Sequence, residues 1–183
     1  MLRSDIVRGR KLSIPLFEKI GWNLNDAELN GMEVGDFGLN NWPKEGAQIV
    51  TVVGTDRVGL KLIALLPGQA LPEHWHTADN GELGKEEILR VLHGEMFLFL
   101  EGGNGSVNGF IPEGKEDSYL CRDEHVMHAG DQVILLPDTA HWMQGGKEGC
   151  VVLSISSAAT CARDPFRDPG VMRFPEIIED VED

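Results

Sequence analysis

Apolar residues cluster in short runs along most of the chain, with polar residues and turn formers between them. From residue 47 onward these runs are rich in Val, Ile, Leu and Phe, and Gly, Pro, Asn or Asp bounds them: AQIVTVVG, VGLKLIALL, EMFLFL, QVILL and CVVLSIS. Runs of this length and composition are typical of β-strands. Several short strands at this spacing predict an all-β sandwich or barrel, which we expect to occupy residues 47–175.

The first 46 residues have too few apolar positions for a core of their own. A short helix is predicted to begin near Ser4, because serine commonly caps helix N-termini. Pro15 argues against one continuous helix as far as Ile20, since proline lacks the backbone N–H and clashes with the preceding turn. Residues 21–46 are rich in Gly and Asn, which predicts mostly turns. We therefore expect residues 1–46 to form a partly helical arm packed on the barrel.

Charge and composition exclude several classes of protein. The chain has 183 residues with 16 basic and 30 acidic side chains, a net charge of −14 that repels nucleic acids and anionic membrane surfaces. No window approaches eighteen consecutive apolar residues, so no membrane span is predicted. The first residues lack the apolar region of a secretory signal. Residues 176–183 form a dense negative run, which predicts a solvated acidic tail.

The cysteines indicate a reducing compartment. Cys121, Cys150 and Cys161 cannot all pair with one another, and none belongs to a C-x-x-C motif. Free thiols in a cytoplasmic protein are therefore expected.

Four residues from two stretches form a candidate metal site. His74 and His76 follow the strand candidate VGLKLIALL, and residues i and i+2 of a strand point to the same face. Glu87 and His141 are further candidate ligands at matching depth. Three neutral imidazoles and one carboxylate suit a first-row divalent ion. The order of affinity alone favours zinc or copper, whereas two open coordination positions equally admit manganese or iron.

These residues fit the two sequence motifs of the cupins, which the chain resembles. The first motif is a glycine, five residues, H-x-H, a spacer, a glutamate, six residues and a glycine. The second is a glycine, a strand, a proline turn and a histidine. The matching residues are Gly68, His74, His76, Glu87 and Gly94 in the first motif, and Gly130, Pro137 and His141 in the second. The resemblance implies a double-stranded jelly roll, which is one of the closed all-β folds.

The spacer between His76 and the carboxylate ligand departs from the cupin pattern. It holds ten residues, TADNGELGKE, where most cupins have a much shorter one. Either a loop is inserted here, or Glu82 or Glu86 is the ligand instead. We prefer Glu87 because only this glutamate keeps the six-residue distance to Gly94.

The chain also resembles the D-lyxose isomerase family, sugar isomerases of cupin fold. Its start looks like the family's M-x-R-S-x-I, residues 37–41 resemble F-G-x-N-N, and residues 85–87 resemble K-x-E, whose glutamate binds metal. Lys61 stands thirteen residues before His74, as a family lysine does. The resemblance covers residues 1 to about 157. It implies a divalent ion, usually Mn²⁺ with Zn²⁺, Fe²⁺, Co²⁺ and Ni²⁺ as alternatives, held by residues corresponding to His74, His76, Glu87 and His141.

One departure from the family concerns the catalytic base. The family often carries an active-site glutamate in a G-E-V-S-S strand after the second motif, and Ser154 stands at that position here. Lys85 is a catalytic candidate by resemblance, and Glu86 and Glu82 are the nearest carboxylates that can replace the missing one. Lys61 is a further candidate, because an ammonium group in an apolar strand is costly unless it is paired or functional. Its alternative is a lysine that snorkels at the rim.

Strand alternation places Trp75 and Trp142 on the outside of the barrel when the neighbouring histidines point inward. These rings need cover, from the N-terminal arm or from a partner subunit. Because cupins of this size commonly dimerise, a homodimer is predicted. Of the other histidines, His125 and His128 are expected at the surface, whereas His93 can face either the site or the outside.

The function that this resemblance implies is a metal-dependent aldose–ketose isomerase acting on a small sugar, of the D-lyxose/D-xylulose or D-mannose/D-fructose type. An enediolate proton transfer needs a Lewis acid, a base that reaches the carbon-bound proton, and polar groups that position the hydroxyls. Two alternatives stay open. One is an Fe(II)-dependent cupin dioxygenase, since three histidines and one glutamate with open positions also serve O₂. The other is a non-catalytic cupin that binds a metal or a sugar.

Overall fold

The computed structural model of the protein describes residues 1–78, 84–157 and 164–180. Two helices precede the strands in this part of the chain, and all pairs between the strands are antiparallel, which confirms the all-β prediction. The elements in chain order are α1 (Arg3–Lys19), α2 (Asp26–Gly31), β1 (Glu33–Gly35), β2 (Ala47–Gly54), β3 (Gly59–Leu65), β4 (Ala70–His74), β5 (Glu87–Leu100), β6 (Asp123–His128), β7 (Gln132–Leu135) and β8 (His141–Ser156).

Two long strands determine the architecture, because each of them belongs to two sheets. The first half of β5 pairs with β7 and with the second half of β8, whereas its second half pairs with β6 and with the first half of β8. The first sheet therefore has the order β1-β2-β3-β8-β5-β7, and the second has the order β4-β8-β5-β6. The two sheets face each other across one apolar core, as the cupin jelly roll requires.

Both long strands bend where they pass from one sheet to the other. Gly94 of β5 and Gly149 of β8 lie at this bend, each with a φ of 75°, and the strand register breaks between Gly94 and Met96. A Cβ atom on Gly94 would lie only 2.1 Å from the carbonyl oxygen of Gly149. The final glycine of the first cupin motif is therefore required by the left-handed backbone and by the close approach of two chains.

The inner faces of both sheets supply the core. Ile63 and Leu65 of β3 and Leu89 and Val91 of β5 point into it, in the alternation expected of strands. Lys61 shares a face with Ile63 and Leu65, and it lines a cavity at one end of the barrel. The phase of the apolar pattern thus predicts the inward position of this lysine.

Helix α1 covers part of the outer face of the first sheet. Its buried residues Ile6, Gly9, Ser13 and Phe17 follow helical spacing and form one face. The contact is close, because a Cβ atom on Gly9 would lie 2.5 Å from Val34. The N-terminal residues therefore pack on the strands through this face of α1.

The prediction that Pro15 ends the helix is wrong, because α1 continues through Pro15 to Lys19. An interior proline costs about 3 kcal/mol or more, and the fully buried Phe17 beyond it helps to offset that cost through tertiary packing. The predicted cap is also displaced. Leu2 is the N-cap without a side-chain bond, and the N–H of Ser4 donates instead to Asp180 Oδ1 at 2.8 Å.

Residues 21–46, predicted to be mostly turns, also hold regular structure. Asn25 caps α2 in a reciprocal pair of hydrogen bonds with Glu28. The strand β1 extends the first sheet beside β2. Both elements are short, six and three residues, so the sequence shows no readable periodicity for them.

Two segments other than the N-terminal arm cover the outer tryptophans. Trp142 is fully buried, its ring stacks on Phe99 with centroids 3.8 Å apart, and Tyr119 meets it edge-on. Tyr119 belongs to the loop between β5 and β6, which therefore provides the cover. Trp75 is half-buried beneath the guanidinium of Arg167, which lies 4.9 Å from the ring centroid.

The C-terminal segment 164–180 crosses the end of the barrel where the cavity lies. Phe166 forms an isolated bridge with His74, and the N–H of Met172 donates to the carbonyl of Phe37 at 2.7 Å. The segment thus forms part of the cavity wall.

The acidic tail differs from its prediction in one respect. Residues 176–180 are exposed, as expected of a solvated tail, but they are also tied to the N-terminus. Glu179 binds Arg3, and Asp180 accepts hydrogen bonds from the backbone and the hydroxyl of Ser4. Residues 181–183 lie outside the described residues.

The composition predicts free cysteines and no membrane-spanning segment. Cys121 and Cys150 are buried free thiols, and Cys161 lies outside the described residues. Neither helix in the described part of the chain has the length and apolar character needed to cross a membrane.

Replacing Gly94 by alanine tests the bend of the long strands. We expect Gly94→Ala to lower the free energy of unfolding by about 3 kcal/mol or more, because left-handed strain adds to a backbone clash. Gly114→Ala is the matched control, since Gly114 has the same φ of 75° but has nothing within 4 Å of its Cβ position. That variant should lose only about 1 kcal/mol. Urea unfolding monitored by circular dichroism measures both, and equal losses would contradict the clash.

Candidate metal centre

Three histidines meet at the end of the second sheet. His74 ends β4 and His141 begins β8, and these two residues are direct cross-strand partners. His76 follows two residues after His74, so its ring lies beside both. The ligand nitrogens of the three side chains all lie within 4.8 Å of one another, and all three residues are buried. The predicted convergence of His74, His76 and His141 is therefore present.

Backbone carbonyls fix the orientation of two of these rings. His74 Nδ1 lies 2.8 Å from the carbonyl oxygen of Pro72, and His141 Nδ1 lies 2.9 Å from that of Thr139. A carbonyl oxygen only accepts, so each Nδ1 carries the proton and each Nε2 carries the lone pair. Burial holds the pKa of His141 at about 4 and that of His74 well below its ordinary value. Both rings are thus neutral at physiological pH, and each can offer its Nε2 lone pair to a metal ion.

Glu87 brings the carboxylate to the cluster. It is the first residue of β5, its Oε2 lies 2.9 Å from His76 Nε2 and 4.0 Å from His141 Nε2, and its side chain is buried. Ser154 donates its hydroxyl to Glu87 Oε1 at 2.5 Å. Burial opposes ionisation, but the contact with His76 and the nearby positive charges hold the pKa of Glu87 below its ordinary range. The serine at the family's glutamate position therefore orients Glu87.

The donor set fits a divalent cation. His141 Nε2 is buried and has no hydrogen-bond partner among the residues that the structure describes. An unsatisfied buried nitrogen is costly unless another group uses its lone pair. Three imidazoles with one carboxylate are a donor set that first-row divalent ions accept. His74, His76, Glu87 and His141 would hold such an ion.

A cavity opens beside this cluster, and His74, His76 and Glu87 are part of its lining. One part of its wall is apolar and the other part carries charged and polar groups. The apolar residues are Phe37, Ile49, Ile63, Leu71, Met143 and Phe166, and the polar residues outside the histidine cluster and Glu87 are Lys61, Lys85, Ser154, Asp164 and Arg173. The cavity therefore suits a small ligand with both polar and apolar surfaces.

Both lysines that the sequence singled out lie at this cavity. Lys61 is half-buried on β3, directly opposite Ser154 of β8. Lys85 is largely buried and its Nζ lies 2.7 Å from Asp164 Oδ2. The structure thus brings two ammonium groups to the same cavity as three of the four candidate ligands, His74, His76 and Glu87.

Glu86 does not reach this site. It is exposed and lies with Arg57, Val58 and Ile88 on the opposite side of the sheet. The backbone N–H of Glu86 donates to the hydroxyl of Ser157, and its carbonyl accepts from the N–H of that residue. The prediction of Glu86 as a catalytic residue is therefore wrong. Neighbouring residues of a strand point to opposite faces, so Glu86 points away from the site when Glu87 points inward. Glu82 lies outside the described residues.

The other histidines lie away from the cavity. His125 and His128 are exposed on β6, where they contact Asp123 and Glu95. His93 is half-buried within β5 and is absent from the cavity lining. His125 and His128 therefore lie at the surface, and none of the three histidines lines the cavity.

Two charged residues of the cavity wall, Asp164 and Arg173, were not predicted from the sequence. Asp164 Oδ1 lies 3.1 Å from His76 Nδ1 and Asp164 Oδ2 contacts Lys85, with only 9% of the aspartate side chain exposed. Burial opposes its ionisation, but these two contacts lower the pKa of Asp164 to about 2. Burial also disfavours the charged form of His76, which by itself would lower its pKa. The hydrogen-bonding and charge contacts with Asp164 and Glu87 outweigh burial, and the pKa of His76 is raised. No spacing rule links Asp164 to the motifs, because it follows the last strand.

Comparison with known proteins finds sugar isomerases among the relatives of this chain. No family model matches the sequence. A D-lyxose ketol-isomerase of Cohnella laeviribosi is 42% identical over 163 residues, which cover 88% of this chain and 90% of that protein. A D-lyxose/D-mannose isomerase of Thermosediminibacter oceani is 38% identical over 151 residues, which cover 82% and 83% of the two proteins.

Among solved structures, an L-ribose isomerase of Cellulomonas parahominis superposes with a TM-score of 0.75. The match covers 93% of this chain and 94% of that one at 16% identity, which shows a shared fold. The identities to the two sequence relatives extend over most of each protein and confirm the resemblance seen in the motifs. The chain belongs to the D-lyxose ketol-isomerase family.

Proposed function

We propose that this protein is a metal-dependent isomerase that interconverts an aldose and a ketose. The observation that carries this proposal is the buried Nε2 of His141, which has no hydrogen-bond partner among the described residues and lies in one cluster with two more imidazoles and the Glu87 carboxylate. His74, His76 and Glu87 of this cluster line the cavity. The relatives named for D-lyxose and D-mannose support a small sugar of the D-lyxose/D-xylulose or D-mannose/D-fructose type as substrate.

The proposed ion is Mn²⁺, which the family resemblance favours. The four candidate ligands are His74, His76, Glu87 and His141, and Zn²⁺, Fe²⁺, Co²⁺ or Ni²⁺ are the alternative results of a metal analysis. A bound ion supplies positive charge next to the sugar oxygens on which negative charge develops. The lone pairs that carbonyl contacts aim into the cluster support this assignment.

Residues of this chain that line the cavity are proposed for proton transfer and for substrate binding. Lys85 is the proposed catalytic residue, because its ammonium can hold a proton at Nζ within the cavity. Lys61 is proposed to bind a sugar hydroxyl from the neighbouring strand. Phe37 and Phe166 pack together on the apolar side and exclude water from it. Glu86, exposed on the opposite face, has no part in this proposal.

Hydrogen exchange from solvent tests the proposed reaction. Protein loaded with Mn²⁺ and incubated in D₂O with pentoses and hexoses should introduce deuterium at C1 or C2 of one sugar, detected by NMR. Lys85→Met should lower the rate by about 100-fold or more, the range of general acid–base catalysis. Lys115→Met is the matched control, since it removes another short Lys–Asp ion pair that lies outside the cavity. Absence of exchange with every sugar, together with oxygen consumption with Fe²⁺, would favour a dioxygenase.

Removal of one ligand tests the metal site. His141→Ala should lose metal affinity by about 100-fold or more, because even outer partners of ligands contribute 10- to 100-fold. The variant should keep the β-rich circular dichroism spectrum, since the strand pairing is made by the backbone. His125→Ala, an exposed histidine on β6, is the control. Full metal occupancy of His141→Ala by elemental analysis would remove His141 from the ligand set.

We further propose that the protein is a homodimer that uses the uncovered part of its first sheet. Val53, Leu60, Ile155, Ile88 and Ile134 are successive cross-strand partners, so they form one apolar row across five strands. Ile134 is 54% exposed and Val53 is 40% exposed. A row of this kind is apolar surface that a partner can cover.

Charge supports a second copy as the partner. The chain carries a net charge of −14, which disfavours self-association through most surfaces. Next to the apolar row, however, Arg57 and Glu86 flank one shallow depression with Ile88 and Ile155. Two copies related by a twofold axis can pair these opposite charges while the row is buried.

Disruption of the apolar row tests the dimer. Light scattering should give wild-type protein a mass of twice the 20.1 kDa chain. Ile134→Glu should give a monomer, because it places a charge in the buried row. Val107→Glu is the control, since Val107 is 88% exposed in the loop between β5 and β6. A wild-type monomer, or an Ile134→Glu dimer, would contradict the proposed interface.

A cytoplasmic location is also proposed. It is supported by Cys121 and Cys150, which are buried and unpaired. Free thiols persist in a reducing compartment.

A further inference from the structure

Asp164 occupies a point where two parts of the proposed site meet. One oxygen of its carboxylate faces His76 Nδ1 at 3.1 Å, and the other lies 2.7 Å from Lys85 Nζ. His76 is 1% exposed, and the side chains of Lys85 and Asp164 are 8% and 9% exposed. A carboxylate in such a place is costly unless both of its contacts stabilise it.

The contact with His76 bears on the orientation of its ring. A negative charge beside Nδ1 favours the tautomer that carries a proton there. The other ring nitrogen, Nε2, lies 2.9 Å from Glu87 Oε2 and donates a hydrogen to that carboxylate. With the Nδ1 proton retained, Nε2 would offer its lone pair to a cation that takes the place of this hydrogen. His74 and His141 obtain this orientation from hydrogen bonds to backbone carbonyls. His76 Nδ1 has no well-aligned hydrogen bond among the described residues, and the charge of Asp164 lies 3.1 Å from it.

The contact with Lys85 bears on the position of the ammonium group. A lysine side chain has several rotatable bonds and is held in one place only by its partners. Asp164 is the partner that holds Lys85 Nζ at the cavity wall. Ser154, at the family's glutamate position, is engaged with Glu87 instead.

We propose that Asp164 is a positioning residue of this site, which orients His76 for the metal and fixes Lys85 for the substrate. The inference rests on the proposed isomerase function and deepens it. The carboxylate that this chain lacks at position 154 has a counterpart at position 164, which approaches the cluster from the C-terminal segment. Asp164 is assigned no contact with the sugar.

Substitution of Asp164 by asparagine tests both roles separately. Asp164→Asn keeps the shape but removes the charge, so metal affinity measured by competition with a chromophoric chelator should fall about 10- to 100-fold. At saturating Mn²⁺, kcat for the sugar found by deuterium exchange should also fall about 10- to 100-fold, whereas KM should change less than kcat. The Lys85→Met/Asp164→Asn double variant should lose little more kcat than Lys85→Met alone, because Asp164 acts on kcat through Lys85.

Asp168→Asn is the matched control for the segment. Asp168 belongs to the same C-terminal stretch and has an equally short ion pair with Lys115, but it does not line the cavity. Asp168→Asn should retain wild-type metal affinity and kcat. Similar losses in both variants would mean that Asp164 acts only by anchoring the segment, and would overturn the proposal.

Two further outcomes are decisive. Wild-type metal affinity and kcat in Asp164→Asn would overturn the positioning role, whereas a wild-type protein that exchanges no sugar would overturn the isomerase function instead. In the latter case the chelator competition still tests the contact with His76. If circular dichroism shows that Asp164→Asn is unfolded, Asp164→Glu replaces it. That variant keeps the charge and displaces the carboxylate, so the same losses of metal affinity and kcat are expected, and wild-type values would overturn the role.

Discussion

The pairing of β4 with the start of β8 is the constraint on which the site depends. His74 and His141 lie directly opposite each other across this pair. A shift of one residue in β8 would turn His141 outward and Trp142 into the cavity. The stack of Trp142 on Phe99 and the edge contact of Tyr119 secure the register from the outer face. The aromatic packing outside the barrel thus holds the metal-facing nitrogens inside it.

The motifs predict most of the site because its ligands lie on strands. His74, His76 and His141 converge from sequence spacing alone, since alternation and a proline turn determine their direction. Glu87 keeps its distance to Gly94 because that glycine marks the bend of β5. The closed sheet can be predicted for the same reason. Local periodicity indicates which residues form strands and which face of the strand each side chain occupies.

The features that the sequence did not predict depend on contacts between distant segments. Pro15 breaks a local rule, and burial of Phe17 against the sheet overrides it. The cover of Trp142 comes from the β5–β6 loop, and no local pattern relates that loop to β8. Asp164 reaches His76 across 88 residues of sequence after the last strand has ended. Periodicity and motif spacing do not predict contacts between segments that are far apart in the sequence.

Ser154 stands where the family often carries a glutamate, and the second carboxylate of this site comes from Asp164 instead. The two negative charges of the site are therefore placed differently, but their number is the same. A second carboxylate at position 154 would lie against Glu87, where two like charges in a buried site oppose ionisation. Serine there is a neutral donor to Glu87 Oε1. Asp164 lies on the other side of His76, where its charge faces Lys85 instead. Each carboxylate then has its own partner, and both can stay ionised within one buried cluster.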